Sequence, residues 1–195
     1  LEHTGDARCV RLCLEGFVRA IRLSAVFGMA NEREAFVSAL AKFSGLLDPG
    51  RSPASLTGKH VACMRALLEV ARTARNYLGE SWTDVLQCLS QLARLQLFAA
   101  GARGDDDFFP VEQRHQIRAR AQRSSFGGLF ATGPSPEEQE RLELERARAA
   151  AQEVVRQLDL NALDRVFVDS VSLNMDAIQD FVAALCRVSM AELRQ

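Results

Sequence analysis

The sequence predicts an all-α fold built from stacked antiparallel helix hairpins. Apolar residues recur at steps of three and four along most of the chain, the spacing that lines one face of a helix. Period-two runs of β-branched residues and Gly-turn hairpin signals are absent. Several periodic segments also carry apolar residues on more than one side. Helix pairs joined by short turns fit either a closed bundle or an open stack, and the broad stripes favour the stack. The expected architecture is an α-solenoid of the armadillo or HEAT sort, although no internal repeat of about 40 residues is visible.

The first helix runs from about Ala7 to Phe27, with Val10, Cys13, Phe17, Ile21 and Ala25 on one face and Arg8, Arg11, Arg19 and Arg22 in other positions. Asn31 is placed as the next cap, because Glu32 and Glu34 follow where carboxylates meet the positive helix end. Phe36, Leu40, Phe43 and Leu47 make the second stripe. Asp48 to Pro53 is a loop by composition. The third helix starts near Thr57, carries Val61, Met64, Leu67, Leu68 and Ala71, and stops near Asn76. Tyr77, Leu78, Gly79, Ser81 and Trp82 then form a corner between helices. Gly79 permits a positive φ there. Ser81 caps the fourth helix, with Asp84 completing a short-acid variant of the capping box. Trp82, Val85, Leu89 and Leu92 face inward, and burial of Trp82 stabilises by about 2–3 kcal/mol.

A variable, partly mobile insertion is expected at about 101–136 within one helical domain spanning 1–195. It contains Asp105, Asp106 and Asp107, then Phe108 and Phe109, a basic segment, and a Gly/Ser/Pro-rich stretch from Ser124 to Pro136. From Glu137 to Leu158 the chain is strongly helix-forming, with a thin stripe of Leu144, Ala147, Ala151, Val154 and Leu158 suited to close packing. A short helix around Leu160 to Phe167 follows. The last helix begins at Asn174 and carries Ile178, Phe181, Leu185 and Val188.

Composition narrows the function. The chain has 195 residues, 48% hydrophobic and 25% charged, and a net charge of −1. A nucleic-acid binder would show a basic surplus, so nucleic acid is not an expected partner. The five cysteines include no C-x-x-C pair, and each falls in an apolar helical pattern. Reduced, buried thiols in the cytosol or nucleus are expected. With no signal peptide and no apolar run long enough for a span, the segment is expected neither to enter the secretory path nor to cross a bilayer.

Catalytic patterns fail one by one. Gly58-Lys59-His60 resembles the end of a phosphate-binding loop, but Gly50 is too distant, His replaces the magnesium-holding hydroxyl, and no strand leads in. The Asp105–Asp107 run lacks the alternation of a calcium loop. His3, His60 and His115 have no partner at metal-ligand spacing. No Ser or Cys sits in a nucleophile elbow. The acids between Glu137 and Glu145 are expected on a solvated helix, where carboxylates keep ordinary acidity. No enzyme, cofactor or metal site is expected. Two binding surfaces survive. Arg114, Arg118, Arg120 and Arg123, flanked by aromatics, suit an anionic lipid surface. Arg19, Arg22, Lys59, Arg72 and Arg75 suit an acidic protein partner. For both, plain solvent exposure is the competing reading.

Several motifs together resemble one family. Cys13-Leu14-Glu15-Gly16-Phe17 with Ala20-Ile21-Arg22, Glu32-Arg33-Glu34-Ala35-Phe36-Val37, and Ala39-Leu40-Ala41-Lys42-Phe43 are similar to the segment after the catalytic domain of large Golgi Arf exchange factors, the BIG/Sec-seven type. Asn76-Tyr77-Leu78-Gly79, Ser81-Trp82 and Cys88-Leu89-Ser90-Gln91-Leu92 are its most specific part. Asp180-Phe181-Val182, Ala184-Leu185 and Val188-Ser189 resemble the family's closing helix. The likeness covers about 1–100 and 160–194. Arg75 stands where the family pattern has Gly, and His60 where it has Asn. The resemblance implies the first homology-downstream regulatory domain, without exchange activity of its own. It further implies binding of GTP-bound Arf-family GTPase and of other domains of the same exchange factor. Recruitment to the trans-Golgi network surface from the cytoplasm, positive feedback and relief of autoinhibition would follow.

Overall fold

The computed structural model describes residues 5–48, 50–101, 136–159 and 161–194. Among them are seven α-helices and no strand. These are α1 (Ala7–Val26), α2 (Ala30–Phe43), α3 (Gly58–Thr73), α4 (Trp82–Ala99), α5 (Pro136–Gln157), α6 (Asn161–Val168) and α7 (Met175–Glu192). The basic segment Arg114, Arg118, Arg120 and Arg123, its flanking aromatics and the Asp105–Asp107 run lie outside the described residues.

The helices pack as two rows. α1, α3 and α6 touch in sequence along one row, and α2, α4 and α7 along the other. α1 and α2 pair as a hairpin, and α2 and α3 also touch across the rows. This alternation is that of a helical-repeat stack, each helix touching its partner and the next helix of its own row. α5 is the exception. It packs on α4 and on the short 3-10 turn Pro53–Ser55, closing one side.

Two cores follow from that plan. The larger joins α1 through α4 to Val166, Phe181, Ala184 and Val188. The smaller clamps α5 against the start of α3 and the second half of α4, through Val61, Met64, Leu92, Leu95 and Phe98 against Ala147, Ala151, Val154 and Leu158. Ala147 and Ala151 let the α5 backbone approach closely, as the thin stripe requires. Across the α1–α2 hairpin, Phe17 meets Phe36 and Phe43 edge-on, with centroids 5.6 Å and 6.2 Å apart.

The sequence expectations need four corrections. The buried face of α1 is Val10, Leu14, Val18, Ile21, Ser24 and Ala25, while Cys13 is exposed. α1 has two neighbours, so its buried arc is wider than one stripe and is centred between them. Cys9 and Cys186 are exposed as well, and only Cys63 and Cys88 are buried. Burial raises the Cys63 thiol to about 11 and the Cys88 thiol to about 12, which makes both inert. Asn31 is not a cap: Met29 precedes α2 and offers no side-chain hydrogen bond. Ser81 is not a cap either. It already has helical dihedrals, and its buried Oγ finds no partner among the described residues.

The caps that do form lie elsewhere. Asp6 accepts from the N–H groups of Arg8 and Cys9 at 2.7 Å and 3.0 Å. Those bonds, led by Cys9, hold its carboxyl below the usual range. Asn174 accepts from the Ala177 N–H at 2.8 Å and starts α7. His60 Nδ1 accepts the Thr57 N–H at 2.9 Å, the return half of a capping box at the start of α3.

Candidate docking surface

Charge divides the two rows. On the first row Arg8, Arg11, Arg19, Arg22, Lys59, Arg65, Arg72 and Arg165 outnumber Glu15, Glu69 and Asp164. On the second, Glu32, Glu34, Asp84, Asp176, Asp180 and Glu192 outnumber Arg33, Lys42, Arg94 and Arg187. A net charge near zero therefore hides a basic face and an acidic one.

Between α1 and α3 lies a trough of about 1090 Å³. The helices run side by side in one direction, and the Arg22–Glu69 ion pair, 2.6 Å long, bridges them near their C-terminal ends. Gly58, Ala62 and Ala66 put little bulk on the facing side of α3, which leaves the depression. Val10, Leu14 and Val18 form its apolar floor, and Arg11, Arg19, Arg22, Lys59 and Arg65 form its rim.

Three of the five candidate protein-contact residues, Arg19, Arg22 and Lys59, meet at this trough. The Arg19 side chain is 76% exposed and sits 3.7 Å from Glu15 one turn earlier. Arg72 is exposed near the end of α3, outside the trough lining. Arg75 is elsewhere too, in the corner after α3, 3.8 Å from Asp169. Arg11 and Arg65 were missed as rim residues. Arg11 shares one helical face with Arg22, and that spacing was the available signal. Arg65 was hidden because its role is set by α5: it donates from Nε at 3.2 Å, and also from Nη2, to the Gln157 carbonyl at the end of that helix.

The corner residues are placed as follows. Leu78 and Trp82 are buried, Tyr77 is exposed, and Gly79 has φ +54°. Trp82 meets Phe181 of α7 edge-on at 4.9 Å between centroids. Asn76 Oδ1 accepts the Asn174 N–H at 3.0 Å, and Arg75 faces Asp169, so this corner is tied to the next one along the stack. Arg187 of α7 donates to Glu80 in the corner at 2.7 Å, and Ser90 of α4 donates to Glu192, so α7 is tied to both the corner and α4. No helix among the described residues is long and apolar enough to cross a membrane. No three His, Cys, Asp or Glu among them cluster for a metal ion.

A two-row stack of this kind, with one basic row and a trough along it, is a helical-repeat scaffold. Known proteins resemble the chain along its whole length. The chain is 32% identical over its whole length to brefeldin A-inhibited guanine nucleotide-exchange protein 3 of Arabidopsis thaliana, covering 12% of that protein. It is 34% identical over 99% of its length to brefeldin A-inhibited guanine nucleotide-exchange protein 1 of Bos taurus and of Homo sapiens, covering 10% of each. Along its whole length the chain is similar to these brefeldin A-inhibited guanine nucleotide-exchange proteins, and it spans only about a tenth of their own length. No protein-family model matches the chain, and no solved structure matches it.

Proposed function

We propose that the chain is a non-catalytic regulatory domain of an Arf guanine nucleotide exchange factor, the first homology-downstream one. It binds a GTP-loaded Arf-type GTPase at Golgi membranes, through the row of α1, α3 and α6. The observation that carries this reading is the concentration of Arg and Lys on one row, with Arg19, Arg22 and Lys59 meeting at one trough. The stack supplies stiffness, so the basic groups present a fixed pattern and the partner immobilises few of them on binding. Binding favours the recruited, active state of the whole factor by the partner's differential affinity for that state, and no more. Couplings of this kind are typically about 5- to 150-fold.

Flotation on liposomes tests the reading. The chain is expected to float with neutral liposomes that carry lipid-anchored, GTP-loaded Arf, and not with the GDP-loaded form. Arg19→Glu together with Lys59→Glu is expected to reduce the floated fraction severalfold while the circular dichroism spectrum stays unchanged. Equal flotation with both nucleotide states, or on bare anionic liposomes alone, contradicts the proposal.

A further inference from the structure

The trough has a definite shape and charge, and these specify what fits it. Its α1 wall runs from Ala7 to Arg22, which at 1.5 Å per residue is about 23 Å. That is the length of about four helical turns. The floor is apolar and kept open by the small Ala62 and Ala66, and basic side chains stand on both rims: Arg11 and Arg19 on α1, Lys59 on α3. An extended strand would leave its backbone N–H and C=O groups unpaired against apolar floor, because both walls are helices with their backbone groups already satisfied. A helix brings its own hydrogen bonds and lays one face into the groove.

We propose that the trough between α1 and α3 docks one amphipathic helix of a partner protein, with large apolar residues on its buried stripe and Asp or Glu along both flanks. The apolar stripe enters between Leu14 and Ala62, and the flanking carboxylates pair with Arg11, Arg19 and Lys59. Glu15 and Glu69 sit within the same lining, but they are paired with Arg19 and Arg22, and the five basic residues outnumber them, so the lining stays net positive. This deepens the proposed docking function by naming what the partner presents.

The test uses a designed probe of about 16 residues, four turns long, with Leu at helical i, i+3, i+4 and i+7 positions and Glu on both flanks. Fluorescence anisotropy with the whole chain is expected to show saturable binding that weakens as salt rises, and no binding of the Lys-flanked counterpart. Ala62→Leu fills the trough while keeping all charges, and is expected to weaken binding about tenfold. Arg11→Glu with Arg19→Glu is expected to weaken it by a similar factor and to flatten the salt dependence. Unchanged circular dichroism spectra establish that both variants fold. Failure of the acidic probe to bind, equal binding of the Lys-flanked one, or indifference to Ala62→Leu overturns the proposal. Flotation with GTP-loaded Arf that persists while the probe fails removes this inference alone. Probe binding without flotation removes the GTPase reading alone.

Discussion

Gly79 shows how one residue holds two elements in register. Its φ of +54° is a conformation that side-chain-bearing residues resist, and an added Cβ would lie 3.2 Å from Arg33 Nη2. Gly79→Val is therefore expected to lower stability by about 1–3 kcal/mol, read as a shifted urea midpoint. Unchanged stability with lost partner binding would make the corner a contact surface instead. His60 gives a second residue-scale prediction. Burial first, then the charges of Arg51 and Lys59, lower its pKa below 6.5. The neutral ring accepts the Thr57 N–H, which a protonated Nδ1 cannot do. Below about pH 6.5 the unfolded chain takes up a proton that the folded chain resists, so stability falls as pH drops from there through the folded pKa. Urea midpoints at about pH 7.5 and 5.5 should fall more for the wild type than for His60→Gln, which loses this titration. The Gly79 turn was legible because a lone Gly between two periodic segments has few other uses. The role of His60 was not, since a ring nitrogen can cap only when the turn geometry brings it back on the chain.

At the scale of elements, helical periodicity located all seven helices to within a few residues, and the stripe of α5 survives nearly unchanged in the structure. What periodicity could not give was the number of neighbours each helix would have. α1 meets both α2 and α3, so Leu14 and Val18 are buried where Cys13 was expected. Caps failed for a different reason. Ser81 has the right chemistry, but the 3-10 turn Gly79–Ser81 runs directly into α4, leaving it helical dihedrals and no cap geometry. The close approach of α5 to α4 yields its own prediction. Ala151 is fully buried against the second core, so Ala151→Leu is expected to overpack it and cost about 1–3 kcal/mol. Thermal unfolding measures that loss, and a variant as stable as the wild type would mean that α5 packs more loosely than described.

At the scale of the molecule, both outermost helices of the stack keep an apolar stripe open. Leu12, Leu23 and Val26 are exposed on α1, and Val182 and Met190 on α7. A closed bundle would cover such stripes, so they mark an open stack. The rows themselves were invisible in the sequence. Charge summed over the chain comes to −1, and only the alternation of helices between rows sorts it into a basic and an acidic face. Three of the protein-contact candidates converge at the trough because α1 and α3 are neighbours in the fold while about 40 residues separate Arg19 from Lys59 in the chain. Hydrogen–deuterium exchange of the chain on liposomes, with and without anchored GTP-loaded Arf, tests the central claim most directly. Slowed exchange is expected in peptides from α1 and α3, with α2, α4 and α7 unchanged. Slowing confined to the acidic row, or none anywhere despite binding, would contradict the assignment of the basic row as the docking face.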